Sequence, residues 1–241
     1  MNVLEKWIQQ KGTLHFTLID PDKQTPAASG ELAGKAEILG STAIMVGGST
    51  AGAEITDECV NAIKDSCSIP VILFPNAAGG VSPAADFLFF MMLMNSKDPR
   101  FLTGEQMNAA PHLEKFGVEP IPMGYIVVST SKEPTTVEKV GKVDRIAPDD
   151  VEKAVAYALT AKYFGMACVY LEAGSGAEKP IPVEMIKAVK EKIRIPLIVG
   201  GGIRDVESAK KVADAGADVI VTGTIAEKNP EMLAKIIKAL R

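Results

Sequence analysis

A chain of 241 residues with 47% hydrophobic and 23% charged side chains is long enough to bury a large core and has the balance of an ordinary globular protein. A net charge of −4 and a pI near 5.4 argue against a nucleic-acid binder, which needs a basic face. The three cysteines, Cys59, Cys67 and Cys168, show neither metal-ligand nor disulfide spacing, so a reducing cytoplasm is the expected compartment. The opening MNVLEKWIQQKG has no basic stretch followed by an apolar one, so no signal peptide is expected. The longest apolar block, residues 87–94, is too short to span a bilayer.

Strand-like and helix-like patterns alternate along the chain. Residues 14–19 read as the first strand, ending at Asp20-Pro21-Asp22-Lys23, and residues 29–39 as a helix with Leu32, Ala33, Ala36 and Ile38 apolar. Residues 42–46 read as the second strand, ending at Gly47-Gly48-Ser49-Thr50, followed by a helix over 55–67 and a third strand over 69–74. The fourth strand, 87–93, ends at Met94-Asn95-Ser96; a helix over 104–116 precedes the fifth, 120–128. A helix over 148–164 opens on Pro148, which suits a first turn, with Asp149, Asp150 and Glu152 at its positive end. The sixth strand, 167–171, ends at Glu172-Ala173-Gly174-Ser175-Gly176 and leads to a helix over 183–192. The seventh, 195–199, stops at Gly200-Gly201-Gly202. A helix from Asp205 leads to the eighth strand, 217–221, which stops at Gly223 and Thr224, and one last helix covers 229–241.

Eight strands alternating with helices, in a chain near the usual ~250 residues, predict an α/β fold of the (β/α)₈ TIM-barrel type. With no linker to divide it, residues 1–241 read as a single domain. Two stretches are irregular. Residues 76–86 are too few for an ordinary parallel crossover with its helix. Either the third helix is missing or replaced, or the strand limits differ. Residues 129–146 read as an excursion ahead of the next helix.

In a barrel the carboxyl ends of the strands converge on one rim, where substrates bind. Glycine turns after the last two strands let a ligand approach the backbone and leave N–H groups to hold an anion, as in barrel phosphate sites. Asp20, between an apolar strand and Pro21, is either a Mg²⁺ ligand, with Ser49 adding a hydroxyl, or an acceptor of backbone hydrogen bonds in a turn. Glu172 is either a base or acceptor for a substrate hydroxyl, or a buried carboxylate paired with a lysine or arginine. Tyr170 is either core or a phenol donor to a phosphate. His15 fits a satisfied core group, and His112 a solvated one. GGGIRD lacks the GxGxxG spacing of a dinucleotide site. The FLFFMMLM run suits a core or an adaptable apolar groove.

LIDPDK at 18–23, IMVGGST at 44–50, NS at 95–96, YLEAGSG at 170–176, VGGGIRD at 199–205 and VTGT at 221–224 together resemble the geranylgeranylglyceryl phosphate synthases. These are archaeal ether-lipid prenyltransferases, related to the bacterial heptaprenylglyceryl phosphate synthases, and the likeness runs nearly the whole chain. The resemblance implies transfer of a geranylgeranyl group from geranylgeranyl diphosphate to the 3-hydroxyl of sn-glycerol 1-phosphate, with Mg²⁺ as cofactor. It places the metal at Asp20 and Ser49. It places glycerol phosphate at Tyr170, Leu171, Glu172, Ala173, Gly174, Ser175, Gly176, Gly201, Gly202, Gly223 and Thr224, with Glu172 and Tyr170 nearest the chemistry. It also implies a barrel whose third helix is replaced, and a homo-oligomer, a dimer or a hexamer. A lipid product is compatible with peripheral contact with membrane lipid. Leu18 stands where the bacterial form has lysine, which favours the archaeal reading. Residues 87–94, Met123 and Tyr125 are candidates for the prenyl trough. The alternatives are the same reaction on a longer prenyl diphosphate, another phosphate-binding barrel enzyme such as a sugar-phosphate isomerase or aldolase, or a non-enzymatic phosphate-ligand module. No lysine ends a central strand, which weakens the aldolase reading.

Overall fold

β1 (Leu14–Ile19) is the seam of the sheet, paired in parallel with β2 (Ala43–Val46) on one side and β8 (Val219–Thr222) on the other. Between them β3 (Val71–Leu73), β4 (Phe87–Leu93), β5 (Glu119–Val127), β6 (Cys168–Glu172) and β7 (Leu197–Gly200) follow in chain order, so eight parallel strands close into a barrel. The computed structural model describes residues 1–48 and 51–241. The period of two in each strand sorts side chains between two environments. Leu14, Phe16, Phe89, Met123, Tyr170 and Val221 fill the barrel interior. Their neighbours, such as Val169, Leu171, Val199 and Ile220, face outward and are buried beneath the helices. Strands buried on both sides are continuously apolar, as the sequence shows.

The amino-terminal segment is a helix, α1 (Val3–Lys11), that closes the barrel at the amino ends of the strands. Asn2 and Glu5 form a capping box, and the Asn2 amide donates to the Ala167 carbonyl at 3.1 Å. Trp7 meets Phe16 and Phe87 edge-on, at 6.2 and 5.6 Å, and Leu4 is fully buried. Burying one such leucine contributes about 1.5–3 kcal/mol.

The helices outside the sheet are α2 (Pro26–Leu39), α3 (Ala53–Ser66), α4 (Gly104–Phe116), α5 (Thr136–Val140), α6 (Val151–Tyr163), α7 (Val183–Ile193), α8 (Val206–Asp214), α9 (Thr224–Lys228) and α10 (Pro230–Ala239). The short crossover at 76–86 carries no α-helix, only a 3₁₀ turn at Ala78–Gly80. There the outward face of Leu88 is covered instead by Val60 and Ile63 of α3 and Leu113 of α4. Asp86 staples the crossover: its carboxylate accepts the Val71 N–H at 2.8 Å and the Lys64 ammonium at 2.8 Å.

Three expectations change. The long helix begins at Val151, with Asp150 as its cap accepting the Lys153 N–H, so Pro148 lies ahead of it. The chain end holds two helices, α9 and α10, because Asn229 breaks the run and caps the second through Met232 N–H. The 129–146 excursion contains α5, whose capping-box Glu138 is buried, accepts from Ser129 Oγ at 2.5 Å and forms an ion pair with Arg145 Nε at 3.2 Å.

Candidate active site

A cavity of about 1050 Å³ opens at the carboxyl ends of the strands. Asp20, Tyr170, Glu172, Gly174, Ser175, Gly176, Gly201, Gly202, Gly223 and Thr224, scattered along the sequence from position 20 to position 224, all line it. Much of the remaining wall is apolar, from β4 and from Phe101, Ala109, Val137 and Val140, with Glu105, Gln106, Glu227 and Lys228 among the polar residues beside it.

Three glycine turns form one end. After β6 the chain makes a tight turn in which the Ala177 N–H donates to the Gly174 carbonyl at 3.1 Å. Gly176, at the third position, has φ +76°, which suits glycine there. Ser175 and Gly176 are thus the central residues, and neither N–H donates to a protein carbonyl among the described residues. The same holds for the N–H groups of Gly201, Gly202, Gly223 and Thr224. Gly201 (φ +82°) and Gly202 (φ +70°) both require glycine: a Cβ would stand 2.5 Å from Glu172 Oε1 at the first and 2.4 Å from the Lys179 carbonyl oxygen at the second. Unspent amides from turns after three consecutive strands can grip an anion.

Glu172 stands beside this cradle at the inward-facing end of β6, 7% exposed. Its Oε1 accepts the Gly174 N–H at 2.6 Å. No lysine or arginine reaches the carboxylate among the described residues, so the pairing alternative does not hold. Burial raises its pKa; the nearby Tyr170 phenol and the Gly174 N–H offset part of that rise. Tyr170 is fully buried, stacked among Tyr125 and Phe74 at 5.3 and 5.7 Å between ring centres. Its hydroxyl lies near enough to Glu172 to lower that carboxylate's pKa, yet has no hydrogen-bond partner of good geometry among the described residues. A Cβ on Gly200 would come within 2.2 Å of that hydroxyl, so glycine there makes room for it. Burial and the Glu172 charge push both the Tyr170 and Tyr125 phenols well above their ordinary range, keeping them neutral.

Asp20 lies at the rim just past β1, between the ends of β8 and β2, and pairs with Lys23 Nζ at 2.9 Å. Its Oδ1 also accepts the Asp22 N–H at 3.2 Å, the turn role foreseen as its alternative. Gly48 faces it so closely that a Cβ would stand 2.2 Å from Oδ1. Ser49 lies outside the described residues. Among the described residues no cluster of three histidine, cysteine or acidic side chains forms, so any cation here takes its remaining oxygens from elsewhere.

Two expected residues do not face the cavity. Leu171 and Ala173 alternate with Tyr170 and Glu172 and turn outward, into the core beneath the helices. Of the candidate trough, Leu88, Phe89, Phe90, Met91, Leu93 and Tyr125 line the cavity, while Met123 lies in the barrel core below. The sequence reading missed Phe101, Val137, Val140 and Arg204, the last of them visible within GGGIRD. His15 is a satisfied buried group, bonded through Nδ1 to Ser41 Oγ at 3.2 Å and through Nε2 to Thr222 Oγ1 at 2.9 Å. His112 is exposed on α4.

The chain matches the PcrB family over residues 5–240. It is 51% identical to the geranylgeranylglyceryl phosphate synthase of Pyrococcus horikoshii, over 99% of this chain and 95% of that one. It is 49% identical to that of Thermococcus gammatolerans, over 93% and 90% respectively. The crystal structure of (S)-3-O-geranylgeranylglyceryl phosphate synthase from Thermoplasma acidophilum, in complex with sn-glycerol-1-phosphate, superposes with a TM-score of 0.93 at 42% identity, covering 100% of this chain and 98% of that one. The closed barrel, its glycine-turn rim and these full-length likenesses place the chain in the PcrB family, among the geranylgeranylglyceryl phosphate synthases.

Proposed function

We propose that this chain joins the geranylgeranyl group of geranylgeranyl diphosphate to the 3-hydroxyl of sn-glycerol 1-phosphate, as the names of its relatives indicate. The observation that carries this is a single cavity with an amide-lined end, an uncompensated buried carboxylate and a long apolar wall. A monoester dianion suits the first and a prenyl chain the last. At about 1050 Å³ it lies at the upper end of ligand cavities, as two substrates require.

The unspent N–H groups at Ser175, Gly176, Gly201, Gly202, Gly223 and Thr224 hold the phosphate, which fixes the glycerol and replaces a chance encounter by a positioned one. One Glu172 oxygen is held by Gly174 N–H, leaving the other to accept the proton of the glycerol hydroxyl. The pKa raised by burial makes that carboxylate a better proton acceptor. The hydroxyl oxygen forms its bond to the allylic carbon as the carbon–oxygen bond to diphosphate breaks, and the proton goes to Glu172. The neutral Tyr170 phenol, lacking a protein partner, supports the oriented glycerol. Phe89, Phe90, Met91 and Phe101 on one side and Val137 and Val140 on the other exclude water from the prenyl chain.

A divalent metal fits the mouth. Mg²⁺ commonly takes one or two carboxylates and completes its shell with water and substrate phosphate oxygens. Asp20 supplies such an oxygen, and Gly48 is the residue that leaves it space. Bound there, Mg²⁺ supplies charge neutralisation to the departing diphosphate. Lys23, about half exposed, can turn from Asp20 towards the same anion.

Residues 1–241 act as one domain in this reading, and a dimer or hexamer in the cytoplasm remains part of it; light scattering reads the subunit count. No helix among the described residues is long and apolar enough to cross a membrane. Incubation with labelled sn-glycerol 1-phosphate, Mg²⁺ and prenyl diphosphates of several lengths, followed by organic extraction, tests the reaction. Extractable label that is greatest with the geranylgeranyl donor supports it; no extractable label with any donor overturns it.

A further inference from the structure

We propose that Arg204 is a positioning residue for the glycerol-phosphate cradle, a role resting on the function proposed above. Arg204 follows the Gly201–Gly202 turn and lines the cavity. Its Nη2 donates to the Ala177 carbonyl at 2.7 Å and the Gly176 carbonyl at 3.3 Å. Those are the two carbonyls at the exit of the turn whose centre is Ser175 and Gly176. The guanidinium therefore ties the turn after β6 to the turn after β7, the two that must keep a common spacing to grip one phosphate.

The rest of the loop is tied from the opposite side. Thr130 Oγ1 donates to the Lys179 carbonyl at 2.7 Å, and the Glu178 N–H donates to Ser131 Oγ at 3.0 Å. Ser175 and Gly176 are both exposed, and among the described residues no other side chain bonds the carbonyls that Arg204 holds. Arg204 is thus the anchor on the cradle side of the loop. Binding those carbonyls holds the peptide planes of the turn in one orientation, with its free N–H groups unspent. The shape of the guanidinium matters as well as its charge, because its planar, rigid head holds the two N–H groups of Nη2 towards the two carbonyls. The same cation lies at the end of the cavity where a dianion is to be bound, so its field favours the ligand that its hydrogen bonds prepare for.

The test compares Arg204→Ala and Arg204→Lys with wild type in steady-state prenyl transfer, varying each substrate in turn. The expected result for Arg204→Ala is a KM for sn-glycerol 1-phosphate raised about tenfold or more, the scale of a lost charged hydrogen bond. Its kcat is expected within about twofold of wild type, and its KM for geranylgeranyl diphosphate unchanged, as for loss of binding alone. Arg204→Lys, which keeps charge but not the planar guanidinium, is expected to recover less than half of the loss on the logarithmic scale. Amide hydrogen exchange adds a readout independent of turnover: the bonded N–H groups of this turn, Gly174 and Ala177, should exchange faster in Arg204→Ala, while β6 stays protected. An unchanged glycerol-phosphate KM, or equal losses for both substrates, overturns the assignment. If Arg204→Ala does not fold, Arg204→Lys with wild-type KM and wild-type exchange at Gly174 and Ala177 overturns it equally. A wild-type enzyme that turns over no prenyl diphosphate removes the underlying function instead, so the two failures are distinct.

Discussion

Glu172 holds the Gly174 N–H at 2.6 Å while its second turn neighbour, Gly201, passes so close that a Cβ would fall 2.5 Å from the same carboxylate oxygen. The carboxylate is therefore held by a backbone N–H, with the Tyr170 phenol nearby and no cation paired with it among the described residues. A buried charge held in this way costs stability and is kept for what it does.

Replacing Glu172 by Gln should lower kcat by about 10²–10⁴-fold, the usual contribution of a positioned base, with a smaller change in glycerol-phosphate affinity. The same change should raise the melting temperature at pH 8. Burial raises the folded pKa, so the carboxylate favours folding when protonated and opposes it as pH rises through that folded value. The stability gain over wild type should accordingly shrink towards pH 4, where wild type is itself protonated. Differential scanning calorimetry at the two pH values reads both; a Gln variant less stable at pH 8 contradicts the electrostatic account of the site.

The glycine turns are separable by geometry. Gly201→Ala meets both a positive φ and a Glu172 oxygen at 2.5 Å. It should lower kcat/KM by about a hundredfold, the effect of moving reacting groups by an ångström. Gly176→Ala has the positive φ but no atom within 4 Å, so it meets backbone strain alone, about 1–2 kcal/mol. Steady-state kinetics on both variants should show the larger loss at Gly201, and the reverse order would contradict the crowding inferred there.

How far these features can be read in advance depends on how local they are. The eight strands show in the sequence because most are short, nearly continuous apolar runs that end at polar or glycine residues. The short 76–86 crossover shows as a simple shortage of residues. By contrast α1 looks like an unremarkable leader until Trp7 is seen against Phe16 and Phe87. α5 is five residues long, held by a Glu138–Ser129–Arg145 cluster that forms only in space. Leu171 and Ala173 belong to the YLEAGSG motif, although strand alternation alone turns them away from Glu172. That Glu172 has no cationic partner is a statement about every lysine and arginine in the fold, and no spacing encodes it.

Asp20→Asn should lower turnover by on the order of a hundredfold or more, since metal-held charge at a leaving diphosphate is worth several kcal/mol. Binding of sn-glycerol 1-phosphate, measured by calorimetric titration, should stay within about threefold, because Asp20 bonds to Asp22 and Lys23 and, among the described residues, to none of the cradle residues. Turnover near wild type at limiting Mg²⁺ would remove Asp20 from the metal role.

His15 gives a pH signature of the fold. Burial lowers its pKa to about 3, and Ser41 and Thr222 hold the neutral ring. A histidine with a depressed folded pKa contributes stability that is present above its unfolded value near 6.5 and is lost as pH falls towards about 3. Urea unfolding should therefore lose up to about 1.4 kcal/mol per pH unit below pH 6.5, before most carboxylates titrate. A His15→Gln variant should have a flatter profile between pH 6.5 and 5; an identical slope would reject the assignment.

The most direct measurement is a crystal structure with sn-glycerol 1-phosphate bound. The expected result is its phosphate within hydrogen-bond distance of the amides at Ser175, Gly202 and Gly223, and its 3-hydroxyl facing Glu172. A phosphate bound away from those three turns would contradict the site.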